Sequence, residues 1–185
     1  MREVLEHCAR EGIALEYLRL HDIQDLKGAR LDGLKLSNCK VSSVNLSGAS
    51  LTGARIEHTA FLKVVADCET KLDRAMLDDV QFEDCALNEM SMRSAACSGL
   101  RFEFTTARSL DVSEATFHGV RQVRSDLSGW RMHMAHLKFF EDAEGVTAAA
   151  DLSENAKAAV RTLAATGSRE AAEKFLAALE SQTNA

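Results

Sequence analysis

The sequence predicts an elongated repeat fold, built from five-residue blocks that each bury two positions and expose three. Two observations carry this. First, from residue 24 onward an apolar residue recurs at every fifth position: Leu26, Leu31, Leu36, Val41, Leu46, Leu51, Ile56, Phe61 and Ala66. After a slip of one residue the series resumes as Leu72, Leu77, Phe82, Leu87, Met92, Cys97, Phe102, Ala107, Val112, Phe117, Gln122, Leu127 and Met132, which makes 22 consecutive blocks with Gln122 as the one polar centre. Second, the residue two before each centre is small or apolar in most blocks, as at Ala29, Leu34, Cys39, Val44, Ala49 and Ala54, then Ala75, Val80, Cys85, Met90, Ala95 and Leu100. Neither a helix nor an alternating strand has a period of five.

Residues 24–133 therefore resemble the pentapeptide-repeat family. The resemblance implies a mainly β fold, a right-handed four-sided β-helix with four blocks to each coil. Residues 20 apart then stack on one face. The sequence supports that arithmetic. Val41, Phe61, Phe82, Phe102 and Gln122 form one column, Leu34, Ala54, Ala75, Ala95 and Ala115 a second, and Leu31, Leu51, Leu72, Met92, Val112 and Met132 a third. The columns stay in phase only if the extra residue bulges out at a corner within 66–71. One coil cannot bury its own centres, so its neighbours above and below must do so. At about 4.8 Å per coil, the blocks make a rod of roughly 26 Å whose open ends need covers.

The flanks supply candidate covers. Residues 1–23 read as a capping helix, amphipathic over 2–20, with Val4, Leu5, Cys8, Leu15 and Leu18 on or near one face. Residues 134–185 read as a C-terminal cap and helical hairpin, opening with Leu137, Phe139 and Phe140. Ser153 caps a helix running to about Ala165, Gly167 stops it, and Ser168 caps a second helix carrying Ala172, Phe175, Leu176 and Leu179.

Composition narrows function more than it identifies it. The chain of 185 residues has 22 Lys and Arg against 28 Asp and Glu, a net charge of -6, which is the wrong sign for a generic nucleic-acid binder. No stretch approaches a membrane-spanning length, and the first residues lack a basic segment followed by an apolar one, so no membrane insertion, no signal peptide and a cytoplasmic location are expected. Five cysteines, without paired spacing, read as reduced thiols. Cys39, Cys85 and Cys97 fall on inward positions and read as small hydrophobes rather than nucleophiles. His133 and His136 are three apart, but no carboxylate or thiol joins them at useful spacing, so neither a metal nor another cofactor is expected. Phosphate-loop, dinucleotide and serine-nucleophile motifs are absent. The Ser-Gly and Thr-Gly pairs at 47–48, 52–53 and 128–129 read as turns.

The leading expectation is a non-catalytic scaffold or adaptor that binds another protein. Its candidate contact residues are outward-facing: Leu62, Phe104 and Val123 as apolar points, with Glu83, Asp84 and Glu103 among them, and Phe175, Leu176 and Leu179 of the C-terminal segment. The terminal helices could cap the rod, fold back over that face or join two copies as a homodimer. Two other readings stay open. Some pentapeptide-repeat proteins mimic DNA in size and negative charge and shield gyrase, a type II topoisomerase, from quinolones. Others are secreted bacterial effectors. Against mimicry, residues 25–133 carry 14 basic and 15 acidic side chains, and eight of those acids are concentrated within 66–90.

Overall fold

The computed structural model describes residues 1–22, 26–138 and 140–142. Strands mostly of two or three residues alternate with tight corners, and each strand pairs in parallel with the one a coil further on. On one side the rungs run Ala14, Lys35, Arg55, Met76, Ala96, Thr116 and His136. The result is a mainly β parallel solenoid of about six turns with one short N-terminal helix.

The corners explain the spacing of block positions. The second residue after a centre takes a left-handed conformation, and Gly33, Asn38, Gly48, Gly53, Asp79, Asp84 and Gly129 all have positive φ there. Gly129 also needs its missing side chain, because a Cβ would lie 3.1 Å from Ser109 Oγ. Corners with a buried Thr are closed by its hydroxyl. Thr59 donates to Glu57 O (2.8 Å) and accepts the Cys39 N–H (3.3 Å). Thr105 does the same between Glu103 O (2.9 Å) and the Cys85 N–H (3.2 Å). Backbone groups that the turn leaves without a ladder partner are thus satisfied inside an apolar core.

The three expected columns are in place. Phe61, Phe82 and Phe102 stack with ring centroids 5.2 and 5.4 Å apart, nearly parallel at 17° and 15°. The Ala column is fully buried, and only Met132 at the end of the third column is partly open. Ser50 pairs with Lys71 rather than with residue 70, so the extra residue sits in the turn that follows Ala66. That turn is built around Asp67. Burial pushes its pKa up, but the N–H groups of Gly48 (2.9 Å) and Glu69 (3.1 Å) and the Thr70 hydroxyl outweigh burial and hold it below the usual carboxylate range.

Both ends depart from expectation. The N-terminal helix, α1, spans only Arg2–Glu11, not 2–20. Gly12 adopts φ 66 and donates its N–H to Ala9 and Cys8 carbonyls, a left-handed stop. Leu15 and Leu20 instead belong to strands Ala14–Glu16 and Arg19–His21, so the solenoid begins before residue 24. Those strands pair with partners 21 residues on, which reveals a second slip between Leu20 and Leu26. Leu5, Cys8 and Ala9 are buried, whereas Val4 is 57% exposed and Leu18 is also exposed. The helix is fastened to the first coil by charge. Glu6 accepts the Arg30 backbone N–H (3.0 Å) and the Arg2 guanidinium (2.9 Å), which together lower its pKa. Arg2 in turn reaches Lys27 O and Gly28 O.

At the other end the solenoid continues past residue 133. Strands His136–Leu137 and Phe140–Asp142 stack on Thr116–Val123, and Leu137 is buried directly over Phe117. The period of 20 simply persists, so residues 134–142 extend the rod rather than beginning a separate cap. The expected hairpin of 153–185, with Phe175, Leu176 and Leu179, lies outside the described residues.

Candidate functional site

A parallel solenoid turns sequence spacing into straight columns, and this assembles most of the anticipated contact residues. Leu62 pairs with Glu83, Glu83 with Glu103, and Glu103 with Val123. These four therefore form one outward column running roughly 14 Å along the rod, three steps of strand spacing. The next residue along each strand forms a second column at the corner: Lys63, Asp84, Phe104 and Arg124. Backbone bonds from Lys63 N to Glu83 O (2.9 Å), Asp84 N to Glu103 O (2.9 Å) and Phe104 N to Val123 O (2.9 Å) lock it in register. Leu62 and Val123 are half-buried, while Phe104 is 51% exposed.

Phe104 stands out by its side chain. Its left-handed backbone, φ 50°, is the rule at this corner and recurs in the same column at Lys63, Asp84 and Arg124, but none of those carries an aromatic ring. Its ring also stays in solvent, touched by the Arg124 guanidinium at 6.0 Å from the centroid. Arg101 borders the same face and donates to Asp79 (3.0 Å), whose other oxygen lies 3.3 Å from His58 Nδ1. This Arg–Asp–His group bridges a corner between two faces. Sequence reasoning missed it, because Arg101 reaches the His58–Asp79 column from the next face, across a corner.

The acids of 66–90 are distributed around the rod. Asp78 and Asp79 lie on one face, Glu83 and Asp84 on the next, Asp67 and Glu89 on the third, Asp73 on the fourth, and Glu69 in the turn between Asp67 and Asp73. They form a ring one coil deep, and among the described residues no column is acidic in every coil. Part of the ring is also occupied in holding backbone, since Asp73 accepts the Arg93 N–H (3.0 Å) and Asp67 that of Gly48.

Neither thiols nor histidines assemble a reactive centre. Cys39, Cys85 and Cys97 are buried free thiols. Burial raises the pKa of Cys85 to about 11 and of Cys97 to about 12, so both are protonated at neutral pH. His133 and His136 are exposed. Among the described residues no group of three or more His, Cys, Asp or Glu is placed to hold a metal ion, and no helix is long and apolar enough to cross a membrane. The interior is apolar and packed apart from a cavity of about 20 Å³ lined by residues such as Leu51, Ile56, Phe61, Phe82 and Met90. Trp130 stands at the inward position two before the centre Met132 and packs against the aromatic residues of the core. It sits 5.9 Å from Phe102 and 5.8 Å from Phe117 and donates Nε1–H to Ala107 O at 2.6 Å.

Residues 25–61 match the family model for pentapeptide repeats, in 8 copies. No curated protein matches the chain in sequence. Among solved structures, the full-length QnrB1, a plasmid-mediated fluoroquinolone resistance protein, aligns with TM-score 0.43 and 16% identity over 74% of this chain and 80% of its own. A pentapeptide repeat protein from the cyanobacterium Cyanothece 51142 aligns with TM-score 0.35 and 16% identity, covering 78% of this chain and 97% of its own. HetL, a pentapeptide repeat protein involved in heterocyst differentiation regulation in Nostoc sp. strain PCC 7120, aligns with TM-score 0.23 and 15% identity, covering 79% and 98%.

Proposed function

We propose that this chain, a pentapeptide-repeat protein, is a non-catalytic scaffold that binds another protein through the face carrying Leu62, Phe104 and Val123. Pentapeptide-repeat proteins are typically structural or binding proteins rather than enzymes. The observation that carries the reading is Phe104. A large aromatic ring is held in solvent at a corner position where the same column elsewhere carries Lys63, Asp84 and Arg124, and it is touched by the Arg124 guanidinium. An exposed ring beside half-buried aliphatics is the kind of surface that protein partners use. Half-buried Leu62 and Val123 at the two ends of the adjoining column, with Glu83 and Glu103 between them, give a mixed apolar and acidic surface of the kind a protein partner with basic and apolar groups would match.

The charge arrangement favours this reading over duplex mimicry. A mimic needs continuous negative potential along the axis, whereas the acids here ring the rod in one coil and basic residues lie to both sides. The test is affinity capture with wild type and Phe104→Asp, quantified by mass spectrometry beside a melting curve for each. The reading expects a partner held by wild type and lost from the variant at unchanged melting temperature. Equal recovery of one partner on both baits would overturn this face as the contact, and gyrase subunits recovered equally on both would favour mimicry.

A further inference from the structure

We propose that two copies of this chain pair through the free edge of the first coil, strand Ala14–Glu16 of each lying antiparallel on strand Arg19–His21 of the other. The inference does not rest on the Leu62–Phe104–Val123 face. It starts from the backbone. In each coil the residues on either side of a centre turn their N–H and C=O to the coil before, and the centre turns its own to the coil after. Thus Ser50 N donates to Ala29 O, Ser50 O accepts from Leu31 N, and Lys40 N donates to Leu18 O. Among the described residues, strands Ala14–Glu16 and Arg19–His21 each pair only with the strand a coil further on. Ala14, Glu16, Arg19 and His21 therefore direct their backbone groups off the end of the rod. Helix α1 is fastened elsewhere, by Arg2 to Lys27 O and Gly28 O and by Glu6 to the Arg30 N–H, at the corner diagonally opposite 17–18. The corner between the two strands is open and apolar, with Tyr17 75% and Leu18 36% exposed. An unpaired edge beside apolar surface is a template for another strand.

The order of the residues selects a second copy as the occupant. The chain runs toward the 17–18 corner along the first strand and away from it along the second. A two-fold axis through that corner, perpendicular to the rod, therefore lays the first strand of each copy antiparallel on the second strand of the other. The pleat fixes the register, because the inward centres Leu15 and Leu20 must lie opposite one another. Ala14 then faces His21 of the second copy, and Glu16 faces its Arg19. These are the residues whose backbone groups point off the end, so each pair exchanges two hydrogen bonds. The charges agree with a register they did not set. Glu16 and Arg19 are exposed, and neither is in an ion pair among the described residues. Within its own rod Arg19 stands beside Lys40 and Glu16 beside Ser37, whereas across the axis each meets its opposite. Tyr17 and Leu18 meet at the axis and leave solvent. With α1 at the far corner, the two rods meet at an angle.

The test is a charge exchange read by sedimentation velocity of the full chain over a concentration series at low salt. The proteins are wild type, Glu16→Arg, Arg19→Glu and the double variant carrying both. The proposal expects wild type to form a dimer. Each single substitution puts like charges opposite one another at two symmetric places and weakens the dimer about tenfold or more. The double variant restores it, because the pair is then opposite again with its signs exchanged. Ala14→Pro, which removes an outward N–H at the first residue of a strand, is expected to weaken the dimer as well. Melting curves recorded below the association range show that each rod is intact. Three outcomes would overturn the proposal: a wild type that stays monomeric throughout the series, a dimer indifferent to both single substitutions, or a dimer that both weaken and the double variant does not restore.

Discussion

The inner and outer sides of one sheet face follow opposite rules, and the same strands carry both. Inside, Phe61, Phe82 and Phe102 stack ring on ring and are almost wholly buried. Outside, one or two residues further along, Leu62, Phe104 and Val123 hold apolar surface in solvent. The contrast sharpens at the last rung. Gln122 is 0% exposed and, among the described residues, neither amide atom has a hydrogen-bond partner, while Val123 beside it faces out. Exchanging the two residues would satisfy both environments, yet the chain cannot slip to do so. Phe117 and Val120 are pinned on Cys97 and Leu100 by a continuous parallel ladder, and that backbone register carries Gln122 inward. The backbone therefore sets which way a side chain points, and side-chain chemistry only raises or lowers stability. Outward apolar residues in such a fold are not mistakes of register.

This comparison can be broken from either side. The largest effect belongs to the middle ring. Phe82→Ala leaves a void between two stacked neighbours and is expected to cost about 3–5 kcal/mol in chemical denaturation. A loss under roughly 1 kcal/mol would contradict the stacking, since even mild large-to-small changes in a packed core cost about that much. The opposite sign is expected at the last rung. Gln122→Leu keeps the volume and removes two buried unsatisfied amide atoms, so stability should rise by about 1–3 kcal/mol. A decrease would show that the amide has a partner at the C-terminal end of the rod.

On the outer side, Phe104→Asn should leave stability within about 0.5 kcal/mol or raise it slightly, because Asn accepts the left-handed backbone that Phe strains. The smallest effect is at the N-terminal helix. Glu6 has a lowered pKa when folded, so its contribution is present above the ordinary Glu value of 4.5 and is lost as pH falls through the lowered one. Melting curves of wild type and Glu6→Gln should differ near neutral pH and converge in acid. A gap that persists in acid would mean that the carboxylate does not fasten the helix.

Most of the solenoid was legible because a period of five, taken four times into columns of 20, leaves an apolar signal at every centre from Leu26 to Leu127 but Gln122. The ends were not legible for local reasons. Gly12 stops α1, and a six-residue step between Leu20 and Leu26 hides the first coil from a strict count. Beyond Met132, Leu137 keeps the phase, but its flanking residues read equally well as the start of a helix. Of the candidate site, Leu62, Glu83, Glu103 and Val123 could be aligned by the same arithmetic. The Arg101–Asp79–His58 group could not, since it crosses a corner, and Trp130 occupies a position where most coils place a smaller residue. Its inward direction follows from the pattern, since it stands two before the centre Met132; what the pattern does not tell is that so large a ring reaches Phe102 and Phe117.

The central claim is that the inner column holds the rod together while the outer column binds. Its most direct measurement pairs melting temperature with partner binding for Phe82→Ala and Phe104→Asp, the former assayed well below its own transition. The account predicts that Phe82→Ala lowers the melting temperature and keeps the partner, and that Phe104→Asp keeps the melting temperature and loses the partner. A Phe104→Asp protein that melts like wild type and still binds would contradict it.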